Sequence, residues 1–286
     1  MRPSYITQEK LHKFIQLAID EDVGDGDHSS LASISSDARN KAQLFMKDTG
    51  VISGLSLAED IFHYFNADLD FHPFYKDGNH VQPGDVLFSI EGSSQSILTA
   101  ERLVLNCMQR MSGISTYTNY LSSLIEGSNA RLLDTRKTTP NFRMLEKWAV
   151  LIGGGHNHRF GLYDMIMLKD NHIDFAGSIT KAVEATINYL EKTGKSLSIE
   201  VEVRNMNEVK EALETGYVNR IMLDNMSVSE LKEAVKHISG RVETEASGGI
   251  TEKTIREVAY TGVDFISVGA LTHSIKSLDM SLKASY

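Results

Sequence analysis

Residues 220–249, RIMLDNMSVSELKEAVKHISGRVETEASGG, hold a complete strand–helix–strand unit, and their reading decides the fold. Arg220 to Leu223 is a short apolar strand that ends on Asp224-Asn225. Ser227 and Glu230 form a capping box, in which each side chain satisfies the other residue's backbone amide at the start of a helix. Leu231, Ala234, Val235 and Ile238 recur at helical spacing, and Gly240 stands where a left-handed residue ends a helix. Val242 to Ala246 is a second apolar strand, running out into Ser247-Gly248-Gly249, and Thr251 to Thr261 repeats the helix and closes on Gly262. Parallel strands require such crossovers, so this stretch predicts a parallel α/β sheet.

Working outward, the same rhythm gives strands at Arg131 to Asp134, Asp164 to Lys169, Leu197 to Val203 and Phe265 to Val268. Several are nearly continuous apolar runs, as expected of strands covered on both faces. With the two strands above they make six, short of the eight in a complete TIM barrel. The expectation is an incomplete, open α/β barrel of about six parallel strands over residues 112–272.

Before it the pattern differs. Leu11, Phe14, Ile15, Ala18 and Ile19 share one face of a helix over Pro3 to Asp20, after a Thr7 N-cap. Short strands follow at Ala42 to Met46, Val51 to Ile52, Asp68 to Phe74 and Val86 to Ile90. A long helix is expected to start at a Thr99 cap and run to Ile125. Residues 1–111 therefore read as a smaller, sandwich-like mixed α/β domain, to which 273–286 would return. The acidic turn Asp20 to Asp27 fits no register of a calcium loop and reads as solvated.

The composition is that of an ordinary globular chain, 41% hydrophobic and 23% charged. No apolar run approaches the roughly 20 residues that cross a bilayer, and Met1 to Lys10 has no signal-peptide core, so the expected location is the cytoplasm. The lone Cys107 lies on the apolar side of a helix, a packing position. A net charge of -9 argues against a nucleic-acid surface, so any bound anion must meet a local concentration of positive charge.

Sites in parallel α/β folds form at the carboxyl ends of the strands. Those ends are Asp134-Thr135-Arg136-Lys137, Lys169-Asp170-Asn171-His172, Glu200 and Glu202, Asp224-Asn225, Ser247-Gly248-Gly249 and Gly269. The first two, with Gly153-Gly154-Gly155-His156-Asn157-His158-Arg159 between them, supply cations for a carboxylate-bearing ligand. The last two occupy the place where barrels bind phosphate, with Thr251 opening a helix. Glu202 and Asp224 lie between, placed to accept ribose hydroxyls, hold Mg²⁺ through water or stabilise a developing cation. His156, His158 and His172 lack zinc-ligand spacing, and Arg143, Glu146 and Lys147 read as a salt-bridged helix face outside the site.

Taken together, Thr135-Arg136-Lys137-Thr138-Thr139-Pro140, Glu146-Lys147, Gly153 to Arg159 and Lys169-Asp170-Asn171-His172-Ile173 closely resemble the quinolinate phosphoribosyltransferase family. The resemblance continues through Glu21-Asp22 to Asp27, Glu101-Arg102, Leu105-Asn106, Glu200 to Val203, Leu223-Asp224-Asn225 and Ala246 to Ile250. The family is also called nicotinate-nucleotide pyrophosphorylase (carboxylating). The resemblance implies that quinolinate and phosphoribosyl pyrophosphate react, with Mg²⁺, to nicotinate mononucleotide, pyrophosphate and CO₂ in de novo NAD biosynthesis. It implies that Thr135, Arg136, Lys137, His158, Arg159 and Lys169 line the quinolinate pocket. Glu202 and Asp224 would face the ribose and, indirectly, the metal, and Lys137, Glu202 and Asp224 would be the catalytic groups. Ser247, Gly248 and Gly249 with Val268, Gly269 and Ala270 would hold the 5′-phosphate. Arg102 would reach the pocket of a neighbouring subunit, implying a homodimer or higher oligomer.

The chain departs from the family pattern at His28-Ser29-Ser30, where threonine is usual, and at Asn141, where glycine is common after Thr-Thr-Pro; asparagine tolerates the left-handed region, so the turn is expected to survive. Three other readings remain at this point. One is a molybdenum-transport-associated homologue, against which Arg136, Arg159 and Lys169 count. The others are a lyase using Lys169 as an imine-forming amine and a phosphate-ligand sensor without turnover.

Overall fold

The computed structural model describes residues 2–285. In chain order the first elements are α1 (Gln8–Asp22), α2 (His28–Ser33), β1 (Arg39–Met46), β2 (Gly50–Val51), α3 (Leu55–Phe65), β3 (Asp70–Pro73), β4 (His80–Val81), β5 (Val86–Ser93) and α4 (Ser94–Leu124). Then come β6 (Arg131–Leu133), α5 (Arg143–Ile152), β7 (Ile166–Leu168), α6 (Asp170–Ala176), α7 (Ile179–Thr193), β8 (Ile199–Val203), α8 (Met206–Glu214) and β9 (Arg220–Asp224). The last are α9 (Val228–Ile238), β10 (Glu243–Ser247), α10 (Ile255–Ala259), β11 (Phe265–Ser267), α11 (Ala270–His273) and β12 (Met280–Ser285).

The chain forms two compact units: Met1–Asn119 with Thr138–Gly154 and Leu271–Tyr286, and Tyr120–Lys137 with Gly155–Ala270. The division follows contacts rather than sequence order, so α5, which the expected 112–272 span included, belongs to the first unit.

The first unit is built on an antiparallel sheet ordered β12-β1-β5-β3. The carboxyl-terminal strand does return to it, pairing Met46 with Met280 and Lys41 with Ser285. Helix α3 buries Leu57, Ala58, Ile61 and Phe62, and Phe62 meets Phe88 and Phe71 of the sheet at centroid distances of 5.8 and 6.1 Å. Helix α1 starts at Thr7, whose hydroxyl accepts the Lys10 N–H. Asp27, at the end of the acidic turn, caps α2 by accepting the Ser30 N–H at 3.1 Å. Helix α4 begins five residues before the expected Thr99 cap, because no glycine or proline interrupts Ser94 to Leu98. Thr99 sits inside the helix and donates back to the Gln95 carbonyl at 2.8 Å. Cys107 on this helix is buried, and burial pushes its thiol up to about 12, as a packing residue requires.

Glu146 corrects a further expectation. The expected salt bridge is present but buried: Glu146 pairs with Arg110 of α4, whose Nε and Nη2 lie 3.1 and 2.9 Å from Oε1, and Lys147 is fully buried as well. Glu146 also accepts the Thr139 N–H and hydroxyl at 3.1 and 2.9 Å, while Arg110 donates to the Ile275 carbonyl at 3.1 Å. The pair thus fastens α4, α5 and the segment before β12. Asn141 adopts φ 63°, the left-handed conformation expected of this turn.

The second unit is a parallel sheet ordered β6-β11-β10-β9-β8-β7, an unclosed barrel whose terminal strands are β6 and β7. All five residues of β8 are buried, which explains its apolar alternation with two glutamates rather than with exposed residues. Ser227 and Glu230 form the expected box at α9, with Glu230 Oε2 2.8 Å from the Ser227 N–H. The expected helix from Thr251 is shorter: α10 starts at Ile255, after a turn in which Thr251 N–H donates to Thr254 Oγ1 at 3.0 Å.

The first glycine of the triple run is explained within the first unit. Gly153 has an ordinary φ of -74°, yet a Cβ there would lie 2.5 Å from the Ser115 carbonyl and 2.7 Å from Thr118 Cβ. It lets the end of α5 touch the backbone of α4. Gly153→Ala should therefore lower stability by about 2 kcal/mol or more through overpacking, read as a lower midpoint in urea unfolding; an unchanged midpoint would remove this role.

Candidate active site

Beneath the first strand end lies Asp134, fully buried. Its Oδ1 accepts the His158 N–H at 2.8 Å and its Oδ2 the Asn157 amide at 2.7 Å. His156 N–H donates to the Leu132 carbonyl at 2.8 Å and Asp134 N–H to the His156 carbonyl at 3.1 Å. Residues 156–158 therefore run beside β6, so Thr135-Arg136-Lys137 and His158-Arg159, distant in sequence, share one end of the sheet. Thr135 Oγ1 accepts the Lys137 N–H at 3.0 Å. Arg159 anchors its Nη1 on the Met165 carbonyl at 3.2 Å. Burial, and then the Arg136 charge beside it, pull its guanidinium below the usual arginine pKa. Two neighbouring guanidinium groups carry this electrostatic cost at the same end of the sheet.

At the neighbouring end, Lys169 Nζ pairs with Glu202 Oε2 at 2.7 Å; the lysine side chain is 45% exposed and the glutamate 9%. A carboxylate partner stabilises an ammonium, whereas an imine-forming lysine needs a neutral amine, so the pair counts against the lyase reading. His172 is used locally, its Nδ1 accepting the Lys169 N–H at 3.0 Å. Asp224 follows on β9, with Oδ2 accepting the Asn225 amide at 2.6 Å.

Glu200 and Glu202, two residues apart on β8, point to the same face. Glu200 goes deeper and meets His158 and Glu245 of β10, all three buried. His158 Nε2 lies 3.1 Å from Glu200 Oε2 and 3.3 Å from Glu245 Oε2. Arg220 Nη1 reaches Glu245 at 3.2 Å, and its guanidinium lies 4.1 Å from the Phe265 ring centroid. Arg220 and His158 thus both face the carboxylates of this cluster. Burial would lower the His158 pKa, but the two carboxylates outweigh it and raise it to about 9. In the neutral ring Nδ1 accepts the Arg159 N–H at 2.6 Å; the imidazolium gives up that acceptor, a cost the carboxylates offset. Burial and the neighbouring charge of Glu245 push Glu200 up. Glu245 is pushed up by burial too, yet His158, Ser267 and Arg220 hold it below the carboxylate range.

The remaining ends are backbone. Gly248 and Gly249 have φ of 90° and 60°, left-handed conformations that turn the chain at the end of β10. The Val268 amide donates to the Leu133 carbonyl at 3.0 Å inside the sheet; Gly269 and Ala270 follow it, half-exposed. Because α10 starts only at Ile255, no helix opens at Thr251, and the end of β10 runs into these glycines instead.

Two models of the quinolinate phosphoribosyl transferase family match the chain, the N-terminal domain over residues 27–112 and the C-terminal domain over 114–283. The chain belongs to the quinolinate phosphoribosyltransferase family. It is 48% identical over 296 residues to the chloroplastic nicotinate-nucleotide pyrophosphorylase (carboxylating) of Oryza sativa subsp. japonica, covering 98% of this chain and 79% of that protein. The crystal structure of NadC from Streptococcus pyogenes superposes with a TM-score of 0.91 at 39% identity, covering 98% of this chain and 99% of that one. The nicotinate-nucleotide pyrophosphorylase structure from Francisella tularensis gives 0.88 at 36% identity, covering 98% of each chain.

Of the residues to which the resemblance gives a ligand-facing role, all but Arg102 lie in the second unit, at the carboxyl ends of its strands or, for His158 and Arg159, on the segment beside β6. Arg102 lies on α4 in the first unit, lining a 340 Å³ recess with Asp22, Asp27, His28 and Thr99. The three histidines do not converge: His172 caps α6, and His158 turns inward. Glu245 and Arg220 are the members that sequence reasoning missed. The signal was period two, which places Glu245 on the same face of β10 as Ser247.

His158 is held protonated above its ordinary 6.5, so its contribution to stability is complete below that pH and is lost as pH rises through about 9. Urea midpoints should fall between these values, and His158→Gln should flatten the fall. Identical slopes in both proteins would remove the histidine from this role.

Proposed function

We propose that the chain transfers phosphoribose from phosphoribosyl pyrophosphate to quinolinate with decarboxylation, giving nicotinate mononucleotide, pyrophosphate and CO₂ in de novo NAD biosynthesis. The observation that carries this is the pairing of two sites at one sheet end: adjacent Arg136 and Arg159 for a dicarboxylate, and the Gly248-Gly249 turn for a phosphate. Family membership supports the same reaction.

In this reading Arg136 and Arg159, with Thr135, Lys137, His158 and Lys169, orient the pyridine ring so that its nitrogen faces the sugar. The nitrogen attacks C1′ as the C1′–pyrophosphate bond breaks, through an oxocarbenium-like state. Glu202 and Asp224, on adjacent strands, stabilise that positive charge. The alkylated ring nitrogen then accepts the electrons released when the C2–CO₂ bond breaks, and a proton replaces the carboxylate. Ser247 to Gly249 with Val268 to Ala270 would surround the 5′-phosphate, Val268 through its place in the chain rather than its N–H. Lys137, close to Arg136 on the exposed side, is assigned with Glu202 and Asp224 to the catalytic groups.

Mg²⁺ belongs to the proposal. Glu202 and Asp224 offer hard carboxylate oxygens, one oxygen of each hydrogen-bonded to Lys169 or Asn225, a donor set suited to holding the ion through water. When bound it would neutralise pyrophosphate as it leaves. A homodimer or higher oligomer with Arg102 serving a neighbouring subunit's pocket is proposed as well. The large apolar side chains Leu162, Tyr163 and Phe175, 70%, 66% and 91% exposed on either side of β7, support a partner surface. A cytoplasmic location completes the reading; among the described residues no helix is long and apolar enough to cross a membrane.

Purified protein given quinolinate, phosphoribosyl pyrophosphate and Mg²⁺ should form nicotinate mononucleotide, and nicotinate in place of quinolinate should not serve. No product from quinolinate would sink the proposal. Arg136→Ala should lower kcat/KM for quinolinate by about 10- to 100-fold, the worth of a charge-assisted pair of about 1.5–3 kcal/mol.

A further inference from the structure

Asn225 lies directly after Asp224 at the end of β9 with φ 54°, one of three non-glycine residues with positive φ among the described residues. Three contacts meet on it. Its backbone N–H donates to the Ser247 carbonyl at 2.9 Å. Its side-chain amide donates to Asp224 Oδ2 at 2.6 Å. Its Oδ1 fills the space beside Gly248, where a Cβ would lie 2.3 Å away.

These contacts make contradictory demands on most residue types. A left-handed backbone is accessible to glycine, asparagine and aspartate and strained for others. A hydrogen-bond donor facing a carboxylate excludes glycine, which has no side chain, and ionised aspartate, which only accepts. Asparagine meets both. Positive φ in a non-glycine residue beside a site is where function tends to hold the backbone.

We propose that Asn225 is a positioning residue for the phosphoribosyl half of the site: its amide sets the Asp224 carboxylate while its left-handed backbone sets the Ser247–Gly249 turn. The two strand ends are thereby fixed in one register, so the ribose-facing carboxylate and the phosphate-facing amides move as a unit. Gly248 is a consequence, since no side chain fits there while Asn225 occupies its place. This inference rests on the reading that phosphoribosyl pyrophosphate binds at these two ends.

The test compares the full chain with Asn225→Gly and Asn225→Asp, varying each substrate separately and recording thermal midpoints. Asn225→Gly keeps the backbone conformation and loses only the amide. It should fold with an unchanged midpoint, raise KM for phosphoribosyl pyrophosphate about 10-fold and leave KM for quinolinate within about twofold. Asn225→Asp keeps the turn but sets a second carboxylate beside Asp224, and should lose more than the glycine variant. Calorimetric titration with phosphoribosyl pyrophosphate alone should show the same order of affinity. That titration reports on Asn225 even if quinolinate proves not to be the acceptor, so the two readings fail separately. Kinetics and binding of Asn225→Gly within about twofold of the unaltered chain, or equal rises in both KM values, would overturn the assignment.

Discussion

The cluster of cations at the end of the parallel sheet rests on a layer of buried carboxylates beneath it. Asp134 holds the 156–158 segment beside β6, Glu200 and Glu245 face His158, and Glu202 holds Lys169. Each carboxylate carries a desolvation cost that is offset by more than one donor or by a full opposite charge. Without that layer Arg136 and Arg159 would repel each other with nothing below them to fix their supporting loop.

The architecture follows from where those carboxylates must sit. Glu200 and Glu202 share a face of β8, and Glu245 lies on the corresponding face of β10, so alternate residues of a buried sheet can carry charge inward while their neighbours stay apolar. The sheet stays open between β6 and β7. Those are also the strands between which the chain leaves the second unit, at Lys137, and re-enters it at Gly155. The longest excursion thus carries both halves of the cationic end, Thr135 to Lys137 on its way out and His158 to Arg159 on its return.

The strands of the parallel sheet were readable because their apolar runs and capping boxes are local, and so were the polar groups at their ends. Features set by a neighbour distant in sequence were not. Glu146 reads as a salt-bridged residue, but its burial is hidden because its partner, Arg110, is 36 residues away. Thr99 looked like a cap because helix propensity from Ser94 onward gives no local stop, and Thr251 because two left-handed glycines delay the helix that follows. Glu245 and Arg220 escaped notice because a charged residue in a strand reads as exposed until the opposing strand is known. Asn225 belonged to a recognisable motif, but its double duty depends on Ser247 and Gly248 of the next strand.

The two halves of the site are built by different physics. The acceptor half is a set of side chains whose positions depend on charge balance, so its failures should be electrostatic and sensitive to pH through His158. The phosphoribosyl half is mostly backbone, held by left-handed residues at Asn225, Gly248 and Gly249, and its failures should be conformational. Glu202 and Asp224 stand at the seam, one tied to Lys169 of the acceptor half and the other to Asn225 of the phosphoribosyl half. Their separation is therefore set by β8 and β9, which pair directly in the sheet. The paired strands, rather than either ligand-facing end, fix the distance between the two carboxylates.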